Sequence, residues 1–137
     1  MFKRVLVPVK ATKGSEKAIE VACDLASQLG ASLHLIAVDF EGAEDKPGPE
    51  MLKRAVDTCG NKGINATYSM HRAKNIEDVV SVIATISADY DLIVMGHCRY
   101  KKIYKFLHQS VAEDLLMLAS CPVVVAATDC PEKHIVV

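Results

Sequence analysis

The sequence predicts an α/β domain, an open, twisted, parallel five-stranded sheet in the order 3-2-1-4-5 with helices on both faces. Three observations lead to this expectation. Short apolar runs alternate with amphipathic stretches along the whole 137-residue chain, the pattern of a mainly parallel sheet covered by helices. Runs such as VLVPV at residues 5–9 and LIVM at 92–95 are apolar without alternation, as strands buried on both faces are. The run at 64–70 instead carries Asn65, Thr67 and Ser69, which suits a sheet edge. Strands one and four then lie side by side, and the loops after Val9 and Met95 face each other across the topological switch point, where open α/β sheets bind ligands.

The elements follow in order. Residues 2–9 (FKRVLVPV) form strand one. Helix one is expected over about 15–29, with Ala18, Val21, Ala22, Leu25, Ala26 and Leu29 as its buried stripe, Cys23 off that stripe, and Gly30 as the stop. Residues 32–38 (SLHLIAV) form strand two, in which His34 reads as a strand residue with one wet side. Residues 39–50 combine Gly, Pro and acids and make an exposed loop. The second helix places Leu52, Ala55, Val56 and Cys59 on one face and ends in the turn at 60–63. Strand three covers 64–70. Asn75 caps a third helix with the stripe Ile76, Val79, Val80 and Ile83.

Residues 91–127 complete the pattern. Asp91-Leu-Ile-Val-Met95 is a strand ending at Gly96, followed by a basic loop. Ser110-Val-Ala-Glu113 has capping-box spacing, in which the hydroxyl and the carboxylate satisfy backbone N–H groups reciprocally. The helix it opens repeats Val111, Leu115, Leu118 and Ala119 on one face. Cys121-Pro122 ends that helix, and Val123-Val-Val125 begins strand five at the other edge.

Composition narrows the functional classes. A formal charge of −1 gives no global attraction to nucleic acid or anionic membrane. No apolar run approaches the ~20 residues of a membrane span. The chain opens directly into a strand without a signal-peptide pattern. The five cysteines are scattered with no CxxC pair, so a disulfide framework or zinc knuckle is not expected. The simplest expectation is a reduced, cytoplasmic protein.

The strand with Val7-Pro8, the closing Cys121-Pro122-Val-Val-Val125, and between them Asp91-Leu-Ile-Val-Met-Gly96 and Ser110-Val-Ala-Glu113 together resemble the universal stress proteins. The resemblance extends over residues 1–127, leaving 128–137 as a C-terminal tail that could extend a strand edge or a dimer. It implies the adenine nucleotide alpha-hydrolase-like, Rossmann-like fold. ATP-binding members of that family carry Gly-x2-Gly-x9-Gly followed by Ser or Thr, in which bare backbone approaches the phosphates at a helix start. Here Gly96 and Ser110 hold the first and last positions, but Arg99 and Gln109 replace the two intervening glycines. Lys10 stands where those members have an aspartate. The resemblance therefore implies a degenerate nucleotide-binding motif.

Lys10, Lys13, Arg99, Lys101, Lys102 and Lys105 would lie near this crevice. They fit a solvated basic loop, an anion site gripped by Arg99 and the helix start, or side-chain plugs filling the crevice; the sequence leaves all three open. The candidate ligand-binding set is Val9, Lys10, Gly96, Arg99, Gln109, Ser110 and Val111. His97, Cys98 and His108 do not make a convincing metal set, and no metal is expected. Cys98, flanked by cations, is the thiol whose surroundings favour thiolate. Thr12, Ser15 and Ser110 lack a neighbouring base, so no catalytic residues are assigned and no enzyme is expected. The leading expectation is a non-catalytic stress-response or regulatory module without cofactor. It would act through contacts with an unidentified protein, as a homodimer joined at Val123, Val124 and Val125. The alternative is a sensor that binds ATP, AMP or another anionic ligand.

Overall fold

The computed structural model describes residues 1–44, 46–99 and 111–130. Five strands, β1 (Arg4–Pro8), β2 (Ser32–Asp39), β3 (Ala66–Arg72), β4 (Leu92–Arg99) and β5 (Val123–Asp129), form one parallel sheet in the order β3-β2-β1-β4-β5. Among the described residues the helices are α1 (Lys13–Leu29), α2 (Pro49–Asn61), α3 (Ile76–Ser87) and α4 (Val111–Leu118). The expected fold class and strand order are those observed.

Alternation along the central strands builds two core layers. Val5, Val7, Leu33, Leu35 and Val94 face α1 and α2, whereas Leu6, Ile36, Ile93 and Met95 face α3 and α4. Leu6, Leu35, Ile36 and Ile93 are wholly buried, and each such side chain stabilises the fold by roughly 1.5–3 kcal/mol relative to exposure. β3 is half open, with Tyr68 and Met70 exposed, as its polar residues foretold. On the opposite face of that edge His34 meets the hydroxyls of Thr67 and Ser69 at 2.6 and 2.8 Å. Partial burial, followed by the nearby His71 and Arg4 charges, holds the His34 imidazole below its ordinary pKa.

Helix ends obey local chemistry. Thr12 caps α1 by accepting the Ser15 N–H at 3.2 Å, so the helix starts two residues before the expected position. Gly30 ends it with φ of 65°, a left-handed conformation that glycine adopts without a Cβ penalty. Asn75 caps α3 by accepting the Asp78 N–H at 3.0 Å, as the sequence predicts. Ser110 and its half of the capping box lie outside the described residues.

Four expectations require correction. The fourth strand does not end at Gly96 but continues through Arg99, because β5 pairs with it that far. In α1 the buried apolar side chains are Ala18, Ala22, Cys23 and Ala26, while Val21 and Leu25 are half-buried and Leu29 is exposed. Small residues let α1 lie close to the sheet, which turns Cys23 inward beneath α2 and leaves the larger residues at the margins. In α4, Leu118 is exposed and Ala112 takes the inward place beside Leu115. Cys98 and Cys130, 32 residues apart, are joined by a disulfide, with Cα atoms 5.3 Å apart. Sequence spacing concealed this pairing because the β4–β5 register creates it, aligning Cys98 with Thr128 and Arg99 with Asp129. By loop-closure entropy such a bridge stabilises the fold by roughly 3–4 kcal/mol.

Asp91 has a structural role in the DLIVMG run. Its Oδ2 accepts the Lys3 and Arg4 backbone N–H groups, each at 2.9 Å, fastening the start of β1 to β4. These two bonds hold its carboxyl below the ordinary aspartate range. The resulting stability is complete above the unfolded pKa of about 4 and is lost as pH falls through the lower folded value. Asp91→Asn should therefore be less stable than wild type in urea at about pH 6, with the difference closing toward about pH 2. A difference that persists unchanged at acid pH would remove the titrating carboxylate from this account.

Candidate functional site

The switch point falls, as expected, between the carboxyl ends of β1 and β4. The loop after β1 is tightly folded. The Val9 N–H donates to the Ile36 carbonyl at 2.8 Å, prolonging the β1–β2 ladder. The next N–H, of Lys10, donates to Ser15 Oγ at 2.6 Å, and Ser15 is buried. Ser15 and Thr12, two of the three hydroxyls expected at the crevice, thus fix the entry into α1.

Gly96 stands at the centre. A Cβ added there would collide with the Gly14 carbonyl and would come within 2.9 Å of the Ser15 nitrogen. Gly14 is nearly as confined, because its Cβ would meet Cys98 Sγ at 3.0 Å and the Cys98 nitrogen at 3.4 Å. The first turn of α1 therefore lies directly on the backbone of β4. The bare backbone of Gly96 has a packing partner within the chain, and Gly14 is a partner that sequence reading missed. The available signal was its place two residues beyond Thr12, opening a helix that carries Ala18, Ala22 and Ala26 at helical spacing.

The remaining candidates are placed as follows. Val9 is buried in the core layer beneath α1, and Val111, the first residue of α4, in the opposite layer. Lys10 is exposed. Arg99 directs its Nε to Asp129 Oδ1 at 3.0 Å, both side chains being exposed. Such a pair contributes about 0–1 kcal/mol, but it gives the guanidinium an acid within the same chain, which the loop sequence did not reveal. Gln109, Ser110, Lys101, Lys102, Lys105 and His108 lie outside the described residues. Among the described residues, no three His, Cys, Asp or Glu side chains gather where they could hold a metal ion. Open grooves of about 590 and 420 Å³ lie at the other end of the sheet, around Gly60, Asn61 and Asn65 and around Lys3, Gly30 and Lys62.

The opposite edge is β5. It pairs with β4 along Ile93↔Val123 to Arg99↔Asp129. Val123 and Val124 are half-buried against the two core layers, whereas Val125 is 37% exposed. On the neighbouring α4, Leu116, Met117 and Leu118 are 55, 84 and 56% exposed, an unusual concentration of apolar surface for an eight-residue helix. Among the described residues no helix is long and apolar enough to cross a membrane.

Comparison with known proteins places this geometry. The model of the Universal stress protein family matches residues 1–127. No curated protein matches the chain by sequence. Among solved structures, a universal stress protein in complex with cAMP aligns over 90% of this chain and 96% of its own, with a TM-score of 0.65 and 16% identity. The Archaeoglobus fulgidus universal stress protein in complex with dAMP aligns over 90% and 97%, with a TM-score of 0.56 and 18% identity. An Arabidopsis thaliana family protein with AMP bound aligns over 93% and 92%, with a TM-score of 0.62 and 14% identity. At such identities the likeness concerns the fold.

The glycine contact yields a direct prediction. Gly96→Ala should lower stability in urea by about 1–3 kcal/mol, since backbone atoms must move to admit the methyl group. Gly60→Ala, within α2 and with no atom near its added Cβ, should instead stabilise by about 0.5–1 kcal/mol. Equal effects of the two changes would refute the close seating of α1 on β4.

Proposed function

The chain belongs to the universal stress protein family, and we propose that within it the protein is a non-catalytic module that acts through protein contacts as a homodimer, with the usual ATP cradle lost. The observation that carries this reading is the close packing of Gly14 on Gly96. The glycine that matches the family's first phosphate-contacting position is already covered by the chain's own helix. The change of sign at Lys10 and the added bulk of Arg99 and Gln109 point the same way, away from a triphosphate bound along bare backbone. Residence in the cytoplasm is part of the same proposal.

The dimer would form along β5. Among the described residues no strand pairs with its outer edge, so that edge offers backbone groups to a partner, and Val125 supplies an apolar contact that a twofold axis would duplicate. The tail of residues 128–137, with its apolar Ile135-Val-Val137, is proposed to extend that contact. Light scattering at micromolar concentration should give the dimer mass, and Val125→Lys should move the protein toward the monomer. A wild-type monomer under these conditions would sink the dimer.

A second reading is supported by the cAMP, dAMP and AMP in the neighbouring structures. The crevice between β1 and β4 would hold a nucleotide or another anion, its contacts drawn from the expected set Val9, Lys10, Gly96, Arg99, Gln109, Ser110 and Val111. Denaturation with ATP, AMP, cAMP or phosphate separates the two. A ligand at ~100 times its Kd adds about 2.7 kcal/mol. The first reading predicts no shift with any of these ligands, and a saturable shift with one of them would establish the second.

A further inference from the structure

We propose that the Cys98–Cys130 bridge is a redox modification site, opened and closed by exchange with small thiols of the glutathione class. The proposal is independent of whether the crevice holds a nucleotide. The chain's cysteines fall into two kinds. Cys23 and Cys59 are buried and face one another across α1 and α2 without a bond between them. Burial, followed by the Cys23 contact, pushes the Cys59 thiol up to about 12, so it is not a nucleophile at neutral pH. Cys121, half-buried, is also pushed up by burial. Cys98 and Cys130 differ in every respect. They sit where β4 and β5 leave the sheet, both are partly exposed, and they are bonded to each other.

Their surroundings favour exchange. Cys98 Sγ lies against Gly14 in the first turn of α1, the positive end of a 17-residue helix. That helix end favours the negative charge that develops on Cys98 Sγ as the bridge opens, which makes Cys98 the better leaving group. A small thiolate therefore attacks Cys130 Sγ. A new S–S bond forms to the small molecule, the Cys98–Cys130 bond breaks, and its electron pair leaves on Cys98. A second small thiolate attacks the sulfur of the small molecule in this mixed disulfide and expels Cys130 as thiolate, giving the oxidised small-molecule disulfide. The bridge has then gained two electrons and, on protonation, two protons. Reversal by the oxidised small molecule closes it. Opening would remove the covalent link at the end of β4–β5, leaving the Cys130 N–H to Arg99 carbonyl bond of 3.2 Å and the Arg99–Asp129 pair to hold it.

The test uses the folded full-length chain, equilibrated in reduced and oxidised glutathione at graded ratios, quenched with N-ethylmaleimide and mapped by peptide mass. Cys98 and Cys130 should become alkylated together over one transition, while Cys23 and Cys59 remain unlabelled without denaturant. Brief exposure should trap glutathione on Cys130, and Cys98→Ser should accumulate the same adduct. Hydrogen exchange at residues 97–99 and 127–130 should quicken on reduction with the rest of the sheet unchanged. Two free thiols at every ratio, or a bridge that opens only in denaturant, would overturn the proposal. Glutathione trapped on Cys98 would overturn the assigned order of attack. The wild-type mapping stands even if the serine variant does not fold.

Discussion

Helix α1 rests where it does because two residues without side chains meet, Gly14 at its first turn and Gly96 near the end of β4. The rest of the arrangement depends on that contact. It lets the helix descend until Ala18, Ala22, Cys23 and Ala26 touch the sheet. It also fixes the direction from which the β1 loop returns, through Thr12 and Ser15. A methyl group at Gly96 would lift the helix, and the alanine-rich layer beneath it would lose its close fit.

β4 carries this arrangement through the molecule. At its amino end Asp91 fastens β1, its middle residues alternate between the two core layers, and its carboxyl end holds Gly96, Cys98 and Arg99 in succession. Each of these three has a different partner, α1 for Gly96, Cys130 for Cys98 and Asp129 for Arg99. A ligand site at the switch point is therefore bordered by a helix packed on backbone and by a covalent clasp. The polar groups described there are already engaged within the chain at Val9, Lys10 and Arg99. This is the physical basis for proposing a module that works through its exposed edge rather than through its crevice.

Much of the fold was legible in the sequence because each clue was local. Continuous apolar runs marked the buried strands, Asn75 marked a cap, and the polar residues of β3 marked an edge. The errors arose where long-range register decides. Cys98 and Cys130 become neighbours only through pairing of β4 with β5, and the same pairing gives Arg99 its acid. Cys23 turned inward because small residues broaden the face that a helix can present to a sheet, which a stripe of large apolar residues does not reveal. Gly96 was legible as a position that needs bare backbone. Its partner was not, since the sequence suggests a phosphate as readily as a helix.

Amide chemical shifts of Gly14 and Gly96 during titration with ATP test this directly. If the chain itself occupies the bare backbone of Gly96, both resonances should stay in place up to saturating nucleotide. A saturable shift of the two together would show that ATP reaches the backbone the helix was taken to cover, and would contradict the account.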